Sequence, residues 1–147
     1  MTGLWVALAT LALGTVIGVI RLRRDGRVHE SDGDRLSAAD LGAGLGERAT
    51  LVQFSTAFCQ PCRATRRILA DVSALVPGVS HVEIDAESRL DLVRRLDVMR
   101  TPTVFVLDPS GAVVKRAAGQ PRKAEVLAAL AEAVPPSHES SHQPDEM

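Results

Sequence analysis

Apolar positions along this chain follow two different patterns. From Leu4 to Ile20 every residue is apolar, Gly or Thr (LWVALATLALGTVIGVI), a run of 17 that leaves no polar face and predicts one membrane-spanning helix at the short end of the usual length. From Thr50 onward apolar residues instead recur with alternating strand and helix periods. Thr50–Thr56 (TLVQFST) is short, β-branched and aromatic and predicts a buried strand. The segment that follows, through Val76, places Ile68, Leu69, Val72, Leu75 and Val76 on one helical stripe. Val79–Asp85 (VSHVEID) predicts a second strand. Arg89–Val98 predicts a second helix, facing inward through Leu90, Val93 and Leu96 or through Leu92 and Leu96. The pattern then changes. TVFVLD and AVVKRAA flank Pro109-Ser110-Gly111, a turn signal between extended runs that predicts an antiparallel hairpin, and RKAEVLAALAEAV predicts a closing helix. A parallel βαβ unit followed by a hairpin and a helix predicts an α/β domain, its mixed β-sheet flanked by helices on both faces.

These patterns divide the chain into an anchor with a basic flank (1–24), a flexible linker (25–35), a domain (36–134) and a polar, Pro-flanked tail (135–147) expected to be disordered. About 100 residues suffice for one domain with a modest core. Arg21, Arg23, Arg24 and Arg27 follow the apolar run and no Lys or Arg precedes it, so the positive-inside rule predicts a single-pass protein of the cell membrane with its domain in the cytoplasm; the alternative is an extracytoplasmic domain. A cleaved signal peptide calls for a basic stretch before the apolar run and a small-residue cleavage site after it, and the sequence shows neither.

Charge and composition narrow the function classes. With 17 basic and 18 acidic side chains the net charge is −1, which gives no reason to expect a nucleic-acid partner. The two cysteines are too few for a disulfide framework and exclude a four-cysteine zinc site within one chain. His138 and His142 have helical metal spacing but sit in the tail without a third ligand, and His29 lies in the linker, so no metal site is expected.

Both cysteines stand in Ala57-Phe58-Cys59-Gln60-Pro61-Cys62, at a strand-to-helix junction. Two thiols at this spacing could hold a metal, form a static crosslink or exchange electrons with another protein's disulfide. Taken with the order of elements, the motifs VQFSTAFCQPC, EID, DVMRTPT and Gly119 resemble the thioredoxin family over about 85 residues from Thr50 to Val134. The resemblance implies a thiol:disulfide oxidoreductase working without a bound cofactor, and a cytoplasmic domain, in a reducing pool, would act as a reductase. Its partners would be protein disulfides or thiols and an unidentified electron donor. It also implies that Pro102, preceded by Thr101, has a cis peptide bond and lies beside the cysteines.

Physical chemistry assigns roles within that resemblance. A helix amino terminus offers unpaired N–H groups and a positive dipole end, which favour a thiolate at Cys59, the expected nucleophile. Pro61 suits the first helical turn, and Cys62 one turn on is the expected resolving thiol. Arg63, Arg66 and Arg67 are expected as a solvated basic face. The chain departs from the family at three positions: Phe58, Gln53 and Gln60 stand where Trp, a buried Asp and Gly are usual. An amide at Gln53 cannot take the proton of the resolving thiol, which makes His81, at the place of a usual buried Lys, a candidate substitute. A redox-inactive peptide-binding adaptor of the same fold and a metal-binding module completed by a second chain are the alternatives.

Overall fold

The computed structural model describes residues 1–24, 28–30 and 34–134. Its elements in order are α1 (Thr2–Arg24), β1 (Val28–Glu30), α2 (Ala38–Leu41), β2 (Ala49–Ser55), α3 (Gln60–Leu75), β3 (Val79–Asp85), α4 (Leu90–Arg95), β4 (Thr103–Leu107), β5 (Val113–Ala118) and α5 (Lys123–Ala133). The sheet runs β1-β5-β4-β2-β3, with β2 and β3 parallel and every other neighbouring pair antiparallel. The expected mixed α/β sheet with helices on both faces is therefore present.

The strand period of two decides which helix each β2 side chain meets. Val52 and Phe54 point into a cluster with Leu41 of α2 and with Leu92 and Leu96, at α4 and its end. Ala49 and Leu51 point the other way, toward Leu69 and Val72 of α3 and Val126 and Leu130 of α5. Every β2 residue is buried, as a central strand covered on both faces requires. Phe54 meets Phe105 edge to face at 5.7 Å between ring centroids, which joins β2 to its neighbour β4 in the first cluster.

Several local expectations change. The linker contains a strand: Val28–Glu30 pairs with Lys115–Ala117 at the free edge of β5, while 25–27 and 31–33 lie outside the described residues. The tail 135–147, with His138 and His142, also lies outside them. The turn helix α2 was not anticipated, although Ser37 and Asp40 form a capping box around it and Gly42 ends it at φ 65°. The second long helix is shorter than predicted. It stops at Arg95, and Asp97 turns back at φ 51° while the Arg116 guanidinium donates to the carbonyls of Leu96 and Asp97. Arg116 also lies 5.3 Å from the centre of the Phe105 ring, so one cation satisfies the end of α4 and covers the core. Leu92 and Leu96 face inward here and Leu90 is exposed; on α3, Leu75 is exposed despite its place on the apolar stripe.

The hairpin turn is built around Asp108. Its Oδ1 accepts from the backbone N–H groups of Ser110 and Ala112, and Gly111 adopts φ 87°. A Cβ on Gly111 would lie 2.1 Å from the Leu36 carbonyl oxygen, because the chain entering the domain crosses the turn, Leu36 N–H donating to the Gly111 carbonyl. In α1, none of the apolar stretch Thr2–Ile20 is buried; its mean hydropathy of 2.2 and length of 19 residues fit a membrane span or a signal sequence.

Because Phe54 is fully buried against Phe105 with no room for solvent to replace it, Phe54→Ala should destabilise the domain by about 3–5 kcal/mol. Urea unfolding of the full chain in detergent, followed by far-ultraviolet circular dichroism, measures this. A loss below about 1 kcal/mol would show that this face of the sheet is not packed as described.

Candidate active site

Two ends of secondary structure meet at the cysteines. β2 ends at Ser55, a short turn carries Phe58 into full solvent exposure, and Cys59 becomes the N-cap of α3. Pro61 sits in the first helical turn, where its missing N–H leaves no bond unmade. Cys59 and Cys62 form a disulfide with Cα atoms 5.2 Å apart. The Cys62 N–H donates to Cys59 Sγ at 3.2 Å, so an otherwise unpaired amide of the first turn is directed at that sulfur. The two sulfurs differ in access: Cys59 is partly exposed, whereas Cys62 is 1 % exposed.

The loop before β4 comes alongside. The Thr101–Pro102 peptide bond is cis, Pro102 is buried, and the Thr56 and Thr101 hydroxyls lie 3.2 Å apart. Gly119 N–H donates to the Pro102 carbonyl at 2.8 Å, tying this loop to the end of β5. Met99, three residues before Pro102, is 81 % exposed.

Beneath Cys62 lies a polar network centred on Gln53, which is fully buried. Its Nε2 donates to the Cys62 carbonyl at 2.9 Å and to Ser55 Oγ at 2.9 Å, and its Oε1 lies 3.2 Å from His81 Nε2. A carbonyl can only accept, so the amide nitrogen must face Cys62 and the amide oxygen must face His81. The neutral imidazole therefore carries its hydrogen on Nε2 and titrates at Nδ1. Burial pushes His81 below its ordinary value of 6.5; the nearby Glu83 carboxylate opposes this shift and the Arg66 guanidinium adds to it. Glu83 faces Gln53 across the parallel β2–β3 pair and is held low by Arg66, which donates from Nε and from a terminal nitrogen to its two carboxylate oxygens at 2.6 Å each. The Ser55 hydroxyl reaches Glu83 as well.

Of the residues singled out in the sequence, Cys59, Cys62, Pro61, Phe58, Thr101 and Pro102 lie beyond the carboxyl end of β2 or in the loop before β4, while Gln53 lies behind Cys62 and His81, opposite Leu51, joins them through the Gln53 amide. His81, however, contacts the Gln53 amide, and among the described residues no hydrogen bond joins it to a sulfur. Of the three arginines, Arg66 is engaged in an ion pair, while among the described residues no carboxylate pairs with Arg63 or Arg67. Ser55 and Glu83 were missed. Their signal was the parallel register, which sets Glu83 opposite Gln53 and on the same face as His81. With Thr56, Ala57, Arg66 and Asp85 they line a cleft of about 330 Å³ at the carboxyl ends of β2 and β3. Within the described residues no group of three or more His, Cys, Asp or Glu side chains could hold a metal.

His81 supplies a test by pH. A base whose folded-state pKa is lowered binds fewer protons in the folded protein, so its contribution is fully present above about 6.5 and is lost as pH falls through that value toward the lower folded pKa. Glu83, held low, adds its own loss only as pH falls through its ordinary value of 4.5. The urea midpoint of the full chain should therefore decline as pH falls below about 6.5, and His81→Gln should remove that part of the decline. A profile that is identical in the two proteins would contradict a buried, neutral His81.

The thioredoxin family model matches residues 41–133. Thioredoxin H4-1 of Oryza sativa subsp. japonica is 31 % identical over 86 residues, covering 58 % of this chain and 66 % of its own length. Thioredoxin H5 of the same plant is 28 % identical over 72 residues, 49 % of this chain and 53 % of its own, so the chain spans less than two thirds of either. A thioredoxin of Mycolicibacterium smegmatis is 29 % identical over 104 residues, 69 % of this chain and 89 % of its own. Among solved structures, the thioredoxin NaTrxh of Nicotiana alata superposes with a TM-score of 0.54 at 25 % identity, covering 60 % of this chain and 76 % of that one. A mutant thioredoxin of Halobacterium salinarum has the same fold, with a TM-score of 0.55 at 16 % identity over 60 % of this chain and 77 % of that one. The family match includes β2 through α5 with both cysteines and the cis proline, and the chain belongs to the thioredoxin family.

Proposed function

We propose that this protein is a membrane-tethered thiol:disulfide oxidoreductase that exchanges the Cys59–Cys62 pair with disulfides of other proteins. The observation that carries the reading is the asymmetry of the two sulfurs: Cys59 is partly exposed at the N-cap of a 16-residue helix and receives the Cys62 N–H, while Cys62 is buried one turn behind. In the reduced protein a Cys59 thiolate attacks one sulfur of a partner disulfide, forming a mixed disulfide and releasing the partner's other sulfur as a thiolate that takes up a proton. Cys62 then loses its proton and attacks Cys59 Sγ. The Cys59–Cys62 bond forms, the bond to the partner breaks, and the second partner thiolate leaves. Two electrons pass from the dithiol to the partner, and a separate dithiol donor restores the reduced state.

Gln53 does not take the Cys62 proton in this scheme, because an amide does not titrate. Its role is positional: through Nε2 it fixes the first turn of α3 on the end of β2, and His81 holds the amide in the required orientation. The proton of Cys62 leaves to water. Thr101 and Pro102 form the wall against which the partner chain lies as Cys59 is attacked.

α1 is read as the anchor because none of its apolar stretch Thr2–Ile20 is buried and the arginines follow that stretch on one side only. With those arginines in the cytoplasm the domain works in a reducing pool, rests as a dithiol and acts as a reductase. A reporter fused after Met147 in a bacterial host should give a cytoplasmic signal. A reporter active only outside reverses the orientation and places the domain among secreted or surface partners.

Capture of partners tests the exchange itself. Cys62→Ser permits the first attack and blocks the second, so it should accumulate reductant-sensitive adducts on a non-reducing gel after alkylation, whereas Cys59→Ser should yield none. Symmetric behaviour of the two variants would sink the mechanism. Equal loss of bound metal in both would favour a metal module instead.

A further inference from the structure

A groove of about 530 Å³ opens along the first two turns of α3, lined by Gln60, Pro61, Arg63, Ala64, Arg67 and Gln120. It begins at the disulfide itself, since Gln60 and Pro61 lie between the two cysteines. Arg63 and Arg67 stand four residues apart, on one face of the helix, and both are exposed. Among the described residues no carboxylate pairs with either; the single acidic residue of α3, Asp71, is exposed and makes no ion pair with them. This sets them apart from Arg66 on the same helix, which is neutralised by Glu83. The first turn of α3 contains no acidic side chain, so the positive end of the helix adds to the two guanidinium charges. Gln60 and Gln120 offer neutral amide groups between them.

From these features we propose that the groove docks an acidic segment of the partner protein, adjacent in sequence to the partner's reactive cysteine. The inference rests on the oxidoreductase reading and names the partner chemistry that reading leaves open. Geometry fixes where the acidic residues should lie. At about 1.5 Å of rise per residue, Arg63 and Arg67 are about 6 and 12 Å along the helix from Cys59. An extended segment advancing about 3.3 Å per residue covers those spans in about two and four residues. Carboxylates two and four positions from the partner cysteine would therefore meet Arg63 and Arg67, each in the paired geometry that guanidinium and carboxylate favour.

The test uses the full chain in detergent, reduced beforehand, and three nine-residue peptides. Each carries a central cysteine in mixed disulfide with 2-mercaptoethanol, and Glu, Gln or Lys two and four positions to either side. Every exchange rate is divided by that peptide's rate with dithiothreitol, which removes differences in intrinsic disulfide reactivity. The Glu peptide should exceed the Gln peptide by about three- to ten-fold at low ionic strength, with the Lys peptide slowest. The advantage should shrink toward unity at about 1 M salt. In the Arg63→Gln, Arg67→Gln double variant the Glu-to-Gln ratio should fall close to one, and in Arg63→Glu, Arg67→Glu the order should invert to favour Lys. Because each variant is judged by a ratio between peptides, any effect on Cys59 reactivity cancels. Equal normalised rates for the three peptides, or a preference that survives in both double variants, overturns the docking proposal. Hydroxyethyl disulfide, which is neutral and fills no groove, separates the two levels of inference: exchange with it but no discrimination among peptides refutes the groove alone, while exchange with none of the four refutes the oxidoreductase reading and the groove together.

Discussion

The buried amide of Gln53 is the constraint through which the sheet and the site are fitted to each other. A fully buried amide has two donor hydrogens and an acceptor oxygen, and leaving any of them unpaired costs about 1–3 kcal/mol. Here all three functions are met by different elements: the Cys62 carbonyl of α3, Ser55 at the end of β2, and His81 of β3. The helix carrying the cysteines, the central strand and the edge strand cannot shift relative to one another without breaking one of these bonds. The same bonds fix the amide orientation, and the orientation in turn fixes the imidazole tautomer.

Much of this architecture was legible in the sequence because it follows from local chemistry. The strand Val79–Asp85 matched its predicted limits, and β2, α3, β4, β5 and α5 fell within a few residues of theirs. What escaped depends on tertiary contacts. The end of α4 at Arg95 rests on Arg116, 21 residues further along, satisfying carbonyls that a longer helix would have used internally. Val28–Glu30 has too few residues to show a period, and the open edge of β5 organises it. The capping box of α2 was readable, since Ser37 and Asp40 have the required spacing, but a helix of four residues carries no hydrophobic repeat to point to it. At the site, the cysteines, Pro102 and Gln53 were accessible through the family's pattern. Ser55 and Glu83 required the register of a parallel pair, which single strands do not reveal.

Moving the carboxylate from the central strand to its neighbour changes the electrostatics behind the cysteines. A buried anion at position 53 would need partners to offset its desolvation and would repel any negative charge on Cys62. The neutral amide imposes neither cost, and the carboxylate of Glu83 lies nearer the surface, where its charge is matched by Arg66. A thiolate forming at Cys62 is then spared a buried negative charge at position 53, although the amide there cannot receive its proton. The opening of about 330 Å³ beside Ser55 and Glu83 brings solvent to this side of the network, so water can serve where a carboxylate is missing.

The pairing of Arg66 with Glu83 has a second consequence on the neighbouring face of α3. Three arginines within five residues would ordinarily repel one another and spread their field evenly around the helix end. Neutralising only Arg66 leaves the positive potential on the side of Arg63 and Arg67, next to the exposed Phe58 turn and the disulfide. The surface thus carries exposed apolar side chains, Phe58 and Met99, as well as a cationic groove whose field is screened within about 10 Å at 0.1 M salt. On the docking proposed above, charge at Arg63 and Arg67 orients a partner approaching Cys59, and an acidic segment beside its disulfide brings that disulfide into line with Cys59 Sγ.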